Sequence, residues 1–185
     1  MPVPRLDPMP ADRPLTLRSA RTQDVPVIQA LVEPLARERV LLQKEAVAYY
    51  EAIQEFVVAE EADGTLAGFG ALHVMWQDIA EVRTLAVSEA HRGTGVGHLI
   101  IEELLDRARA VGVERVFCLT FEVEFFRRHG FEVMADQSAV DPEVYAELLR
   151  STDEGVAEFL DLARVKPNTL GNTCLLYTSP SPRDS

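Results

Sequence analysis

The sequence predicts a mixed α/β fold in a single domain, and three observations support that expectation. From Ile79 to Ala110 a strand, a glycine-rich turn and a long amphipathic helix follow one another without interruption. On either side, short apolar runs separated by turn residues give the element order β-α-α-β-β-β-α-β-α-β. The length of 185 residues suits one domain with a substantial core, and no internal repeat or long linker divides it.

The elements follow in order. Residues 1–14 are rich in proline and lack an apolar stretch, which predicts a flexible leader rather than a signal peptide. Leu15-Thr-Leu-Arg18 is a short strand, and Thr22 is placed to cap a helix through Val27, Ile28, Leu31 and Val32. A second helix is expected from Lys44 to Gln54, with Tyr49, Tyr50 and Ile53 on its apolar side. Phe56-Val-Val-Ala59 and Leu66 to Trp76 are strands joined by a hairpin turn at Ala62-Asp-Gly-Thr65. After the central stretch, Arg115 to Leu119 is a buried strand, and Phe125 and Phe126 lie on a short helix. That helix ends before His129-Gly130-Phe131, where Gly130 suits a left-handed stop. Pro142 to Arg150 and Val156 to Leu162 are expected to be helical.

Composition narrows the function. The chain is 47% hydrophobic and 26% charged, ordinary for a globular protein, and its formal net charge of -12 opposes binding to nucleic acid. No apolar run reaches the ~20 residues of a membrane-spanning helix, so no membrane partner is expected. Two cysteines, Cys118 and Cys174, are too few for a disulfide framework or a zinc cluster, so no metal is expected and the chain reads as cytoplasmic. The run from Cys174 to Asp184 matches the translation of a common transposase sequencing adapter. Residues 174–185 are therefore set aside as a non-native tail, although Leu175, Leu176 and Tyr177 suit a last strand. The sequence does not set the oligomeric state, and a homo-oligomer is compatible with it.

The chemistry concentrates in the central stretch. Val82, Leu85 and Val87 mark the strand, and Leu99, Ile100, Leu104, Leu105 and Ala108 follow the 3.6-residue period of the helix. Between them, Arg92-Gly93-Thr94-Gly95-Val96-Gly97-His98 has glycine at every second position, which lets the backbone take positive φ and approach a ligand. N–H groups converging at a helix N-terminus suit a phosphate. The dinucleotide fingerprint fails, because His98 or Ile100 stands where its third glycine belongs, and no Gly-Lys-Ser/Thr of a P-loop follows. What fits is Arg-x-x-Gly-x-Gly at Arg92, Gly95 and Gly97.

That pattern directly after a strand resembles the acetyl-coenzyme A signature of the GNAT N-acetyltransferases, and the element order and the later Phe-Phe-x-x-x-Gly-Phe agree with it. The resemblance covers residues 15–173 and implies a mostly antiparallel mixed sheet, splayed at its central strand to admit the cofactor. A narrower likeness, to the short stand-alone N-acetylglutamate synthases of actinobacterial type, rests on several runs. These are Leu41-Leu-Gln-Lys44, Tyr50 to Phe56, Gly70-Ala-Leu-His73, Thr120 to Phe126, Glu158 to Leu162 and Val165 to Asn168. It implies acetyl transfer from acetyl-CoA to the α-amine of L-glutamate, the first step of arginine biosynthesis. The alternatives are another small amine as acceptor, or a regulatory module that binds acyl-CoA without turnover.

The resemblance also suggests roles. Residues Arg92, Gly93, Thr94, Gly95, Val96, Gly97 and His98 would hold the pyrophosphate, while Leu85, Ala86 and Val87 would pair with the pantetheine arm and offer an N–H to the thioester oxygen. Glu81 is the candidate base, acting directly or through water. Four residues before Leu85, it is expected on the same face of the strand. Phe126 stands where many relatives carry a tyrosine acid, so no acid is assigned. The two carboxylates of glutamate call for cations, and Lys44, Arg83, Lys166 and Asn172 are the candidates. His73 is read as a hydrogen-bonded, half-buried strand residue and Cys118 as core.

Overall fold

A computed structural model describes residues 14–38, 41, 44–134, 141–153, 156 and 173–180. The leader up to residue 13, the runs 158–162 and 165–168, and the candidates Lys166 and Asn172 lie outside these residues. The strands are β1 (Thr16–Ser19), β2 (Phe56–Glu60), β3 (Leu66–Trp76), β4 (Ile79–Val87), β5 (Arg115–Thr120), β6 (Glu132–Val133) and β7 (Thr173–Thr178). The helices are α1 (Val25–Arg37), α2 (Ala46–Glu51), α3 (Val96–Ala110), α4 (Val123–Arg127) and α5 (Pro142–Leu148).

The strands form one sheet of order β1-β2-β3-β4-β5-β7-β6. Every pairing is antiparallel except β4 with β5, which is parallel and ends after the pair Glu81–Phe117. Beyond that pair the two central strands part, which is the expected splay.

One face of the sheet is covered by α3. Its apolar stripe of Val96, Ile100, Ile101, Leu104, Leu105 and Ala108 packs on Val57, Ala59, Ala80, Val82, Val116 and Cys118. The other face carries α1 and α2, where Val25, Ile28, Val32 and Tyr49 meet Phe56, Val58, Phe69, Ala71 and Ala86. The result is a three-layer domain in which β4 is buried on both sides.

Four sequence expectations need correction or completion. Thr22 caps nothing: it opens a single 3-10 turn, and the Asp24 carboxylate accepts the Arg21 N–H at 2.7 Å instead. The second helix is shorter than its apolar pattern suggested. It ends at Glu51, where Ala52 leaves helical geometry, and a separate 3-10 turn, Ile53–Glu55, leads into β2; Tyr49 is buried but Tyr50 is exposed.

The third correction bears on the site. Ala71 pairs with Arg83 and Phe69 with Ala86, so one residue of β3 faces two of β4. Thr84 takes up the extra residue in a β-bulge with φ 55, a conformation rare for a β-branched side chain. The bulge reverses the alternation of the strand. Leu85 and Val87 pack on the α3 side with Ala80 and Val82, whereas Glu81, Arg83 and Ala86 lie on the opposite face. Glu81 and Leu85 therefore do not share a face.

Fourth, the run set aside as a tail supplies β7, inserted between β5 and β6. Leu175 is completely buried and Tyr177 packs against Phe131.

Candidate active site

The loop after β4 is built by two left-handed glycines. Gly93 has φ 75, and Gly95, at φ 86 and ψ 6, is the N-cap of α3; nothing lies within 4 Å of where a side chain would begin at either. The first backbone bond of the helix runs from the Leu99 N–H to the Gly95 carbonyl at 3.2 Å. The N–H groups of Gly95, Val96, Gly97 and His98 thus face the loop without a helical acceptor, at the positive end of a 15-residue helix. Arg92, Thr94 and His98 are exposed around them, while the Val96 side chain is buried in the core.

Two histidines brace this loop from behind. His91 approaches Ser88 Oγ through Nδ1 at 2.6 Å and the Glu61 carboxylate through Nε2, and its carbonyl accepts the Thr94 N–H at 3.3 Å. His129 donates from Nδ1 to the Phe125 carbonyl at 2.9 Å, which leaves its Nε2 to accept from His98 Nδ1. Sequence reasoning selected His98 but not His129. Their residue spacing carries no signal, and the two meet only because α4 returns to the start of α3.

Because β5 leaves β4 after Glu81, residues 82–87 present their β5-facing backbone groups to a cleft without a strand partner among the described residues. Leu85, Ala86 and Val87 lie along this edge, leading to the glycine loop. An extended arm ending in phosphates fits this arrangement: strand-like groups along β4, then a cradle of N–H groups with space in front of it.

At the other end of the edge lies a cluster of charge. Glu81 is 5% exposed, and its Oε2 accepts two hydrogen bonds from Arg83, from Nε at 3.0 Å and Nη2 at 2.6 Å. Arg83 also grips Asp153, Nη1 to Oδ2 at 2.9 Å and Nη2 to Oδ1 at 2.8 Å. Four of the guanidinium's five N–H groups are thereby committed. Glu81 Oε1 makes no hydrogen bond with a described residue. His73, the cross-strand neighbour of Glu81, lies 2.6 Å from Glu55 Oε1 through Nδ1 and 3.9 Å from Asp153 through Nε2.

The environment drives the two carboxyls apart. Burial pushes Glu81 above the usual carboxylate range, against the pull of the Arg83 charge. Burial acts in the same direction on Asp153, but the hydrogen bonds and charge of Arg83 outweigh it and hold that carboxyl well below its ordinary value. A buried carboxyl raised in this way can accept a proton near neutral pH.

Lys44 lies half-buried just before α2 and makes no ion pair with a described residue. Phe126 is 5% exposed and stacks edge-on against Phe125 and Phe131, a packing role. Burial raises the Cys118 thiol, consistent with a core residue. Among the described residues no group of three or more metal-binding side chains occurs, and no helix is long and apolar enough to cross a membrane. Sequence reasoning missed Asp153 and Glu55, because acidic residues beside a helix end are common and nothing in their spacing links them to β4.

The model of the acetyltransferase (GNAT) family matches residues 27–131. A protein of Mycobacterium tuberculosis named amino-acid acetyltransferase is 52% identical over 169 residues, covering 90% of this chain and 96% of that protein. The crystal structure of Rv2747 from Mycobacterium tuberculosis, in complex with CoA and NLQ, superposes with a TM-score of 0.82 at 51% identity, covering 89% of this chain and 99% of that one. N-acetylglutamate synthase from Neisseria gonorrhoeae, complexed with coenzyme A and N-acetyl-glutamate, superposes with a TM-score of 0.73 at 25% identity. That match covers 92% of this chain but 36% of the longer Neisseria chain.

Proposed function

The chain belongs to the acetyltransferase (GNAT) family, and from that premise we propose that it transfers the acetyl group of acetyl-CoA directly to the α-amine of L-glutamate. The observation that carries this reading is the position of Glu81. It is a buried carboxylate whose Oε1 has no hydrogen-bond partner among the described residues, at the point where β4 and β5 part, on the strand that leads to the glycine loop. The Mycobacterium and Neisseria relatives, named for amino-acid acetylation and N-acetylglutamate synthesis, support the choice of acceptor.

Acetyl-CoA supplies the thioester carbonyl that the amine attacks, with the thiolate as leaving group. The chain's own residues do the rest. The N–H groups at Gly95 to His98, with Arg92, neutralise the pyrophosphate, and the free edge of β4 from Leu85 to Val87 aligns the pantetheine. An N–H at Leu85 meets the charge that develops on the thioester oxygen. Glu81 takes the ammonium proton through Oε1, directly or through one water, leaving the amine lone pair free to attack. Transfer then occurs in a ternary complex without a covalent enzyme intermediate.

The acceptor's carboxylates need cations. Lys44, with no ion pair of its own among the described residues, is assigned to one of them. Arg83 contributes its remaining N–H, and Lys166 and Asn172 are assigned to the same pocket from their place in the sequence. No side chain is needed as acid, because a thiolate of pKa ~8.5 leaves readily near neutral pH, and the second proton of the attacking nitrogen passes to that sulfur or to water as the C–S bond breaks.

A second reading, a module that binds acyl-CoA without turnover, is favoured by Phe126 alone, which is packed where a tyrosine acid would stand. Release of free CoA from acetyl-CoA, measured with glutamate, glutamine, aspartate and lysine, separates the readings. Glutamate-dependent release is expected, with Lys44→Ala raising KM for glutamate at least tenfold. Release with another amine changes the acceptor, and tight binding without release selects the module.

A further inference from the structure

Arg83 and Asp153 are separated by 70 residues in sequence, yet a bidentate contact joins them, beside the apolar packing of Val156 with Ile79, so that the segment after α5 is tied to the strand bearing Glu81. A carboxylate buried beside an arginine of its own would be fully compensated and a poor proton acceptor. Here one guanidinium serves two carboxylates, so the three groups together keep one negative charge. Asp153 is the more exposed of the two, with 27% of its side chain accessible against 7% for Glu81. Of the two, the proton that relieves this excess goes to the buried one.

We propose that Asp153 is a positioning residue for the base: by holding half of the Arg83 guanidinium it keeps Glu81 undercompensated, with Oε1, unbonded among the described residues, directed to the amine proton. This rests on the reading of Glu81 as base. The other titratable groups around Glu81 complete the picture. His73 on β3 lies between Glu55, in the turn before β2, and Asp153, 3.9 Å from its Nε2, a contact that the conservative Asp153 variants also alter, and Cys118 on β5 is a buried thiol whose pKa burial raises. Among the described residues, Asp153 is the group that competes with Glu81 for its cation.

Asp153 also has a structural task, since its Oδ1 accepts the Val156 N–H at 3.1 Å. Asp153→Asn and Asp153→Ser both retain a capping oxygen and remove the charge, which separates the two roles. The experiment is the pH profile of kcat for the full chain, for both variants and for Glu81→Gln. With Asp153 neutral, Arg83 turns wholly to Glu81 and favours its ionised form. The acid limb of kcat is therefore expected to move down by about one pH unit, and the plateau to fall by up to about tenfold because the base is weaker. KM for acetyl-CoA should stay within about twofold of the parent, because the phosphate loop lies away from this cluster. A uniform loss of kcat at every pH, with the limb unmoved in whichever variant folds, would overturn the proposal and leave Asp153 a cap. If Glu81→Gln itself keeps the parent profile, the assignment of the base falls first. If Glu81→Gln abolishes the limb while the Asp153 variants leave it in place, this inference alone falls.

Discussion

Glu81 and Leu85 stand four residues apart on β4 and face opposite sides of the sheet, because Thr84 between them adopts φ 55. The bulge sends the carboxylate to the α1–α2 side and lets Leu85 complete the packing under α3. It also lies in the stretch where β4 has lost β5, so the kink and the open edge coincide.

Thr84 thus bears strain beside the candidate base, of order 1–3 kcal/mol for a non-glycine residue in this region. Thr84→Gly is expected to keep kcat and to leave Tm unchanged or slightly higher. Thr84→Pro, whose ring requires a φ near −65°, should lose stability by about 3 kcal/mol and abolish turnover. Thermal unfolding and CoA release on the same two samples check both arms.

The glycines of the loop make a similar prediction by a different route. At Gly95 an added methyl group meets nothing within 4 Å, so the cost of Gly95→Ala is the left-handed backbone alone, about 1–2 kcal/mol. At Gly97 the methyl group would meet the Phe125 ring at 3.1 Å and 3.2 Å, so there the cost is steric. Both substitutions are expected to raise KM for acetyl-CoA at least fivefold with a smaller effect on kcat, read from initial rates at saturating acceptor.

Asp24 provides a pH-dependent test of stability away from the site. Its carboxylate accepts from both terminal nitrogens of Arg18, at 2.8 Å and 3.0 Å, and these bonds hold it below the ordinary carboxylate range. A carboxyl lowered in the folded state adds stability above its unfolded pKa of about 3.9, and that stability is lost as pH falls through the folded value. Asp24→Asn should therefore cost about 2 kcal/mol at pH 7 and progressively less below about pH 4. Urea unfolding at pH 7 and at pH 3 measures the difference, and an equal loss at both values would refute it.

Leu175 tests β7. It is fully buried between α3 and the sheet, in the core that contains Phe126 and Phe131. Leu175→Ala is expected to cost about 2–5 kcal/mol, whereas Leu176→Ala, only half-buried, should cost less. Denaturant midpoints at constant m-value give both numbers. Residues 174–178 of the run set aside from its adapter-like sequence form most of β7 whatever its origin.

The sequence by itself determined the strand, loop and helix from Ile79 to Ala110, because alternation, helical period and glycine are properties of neighbouring residues. The left-handed glycines before α3, Arg83 on the Glu81 face, and Gly130 as a left-handed stop were legible for the same reason. Only the tertiary structure decided which way Glu81 faces, since the bulge arises from the register of β4 against β3 and leaves no mark in the period of one strand. It likewise decided that Arg83 is shared with Asp153, that His129 meets His98, and that β7 enters the sheet between β5 and β6. Each of these joins residues far apart in the chain, where charge and shape select the partner only after the sheet has brought them together.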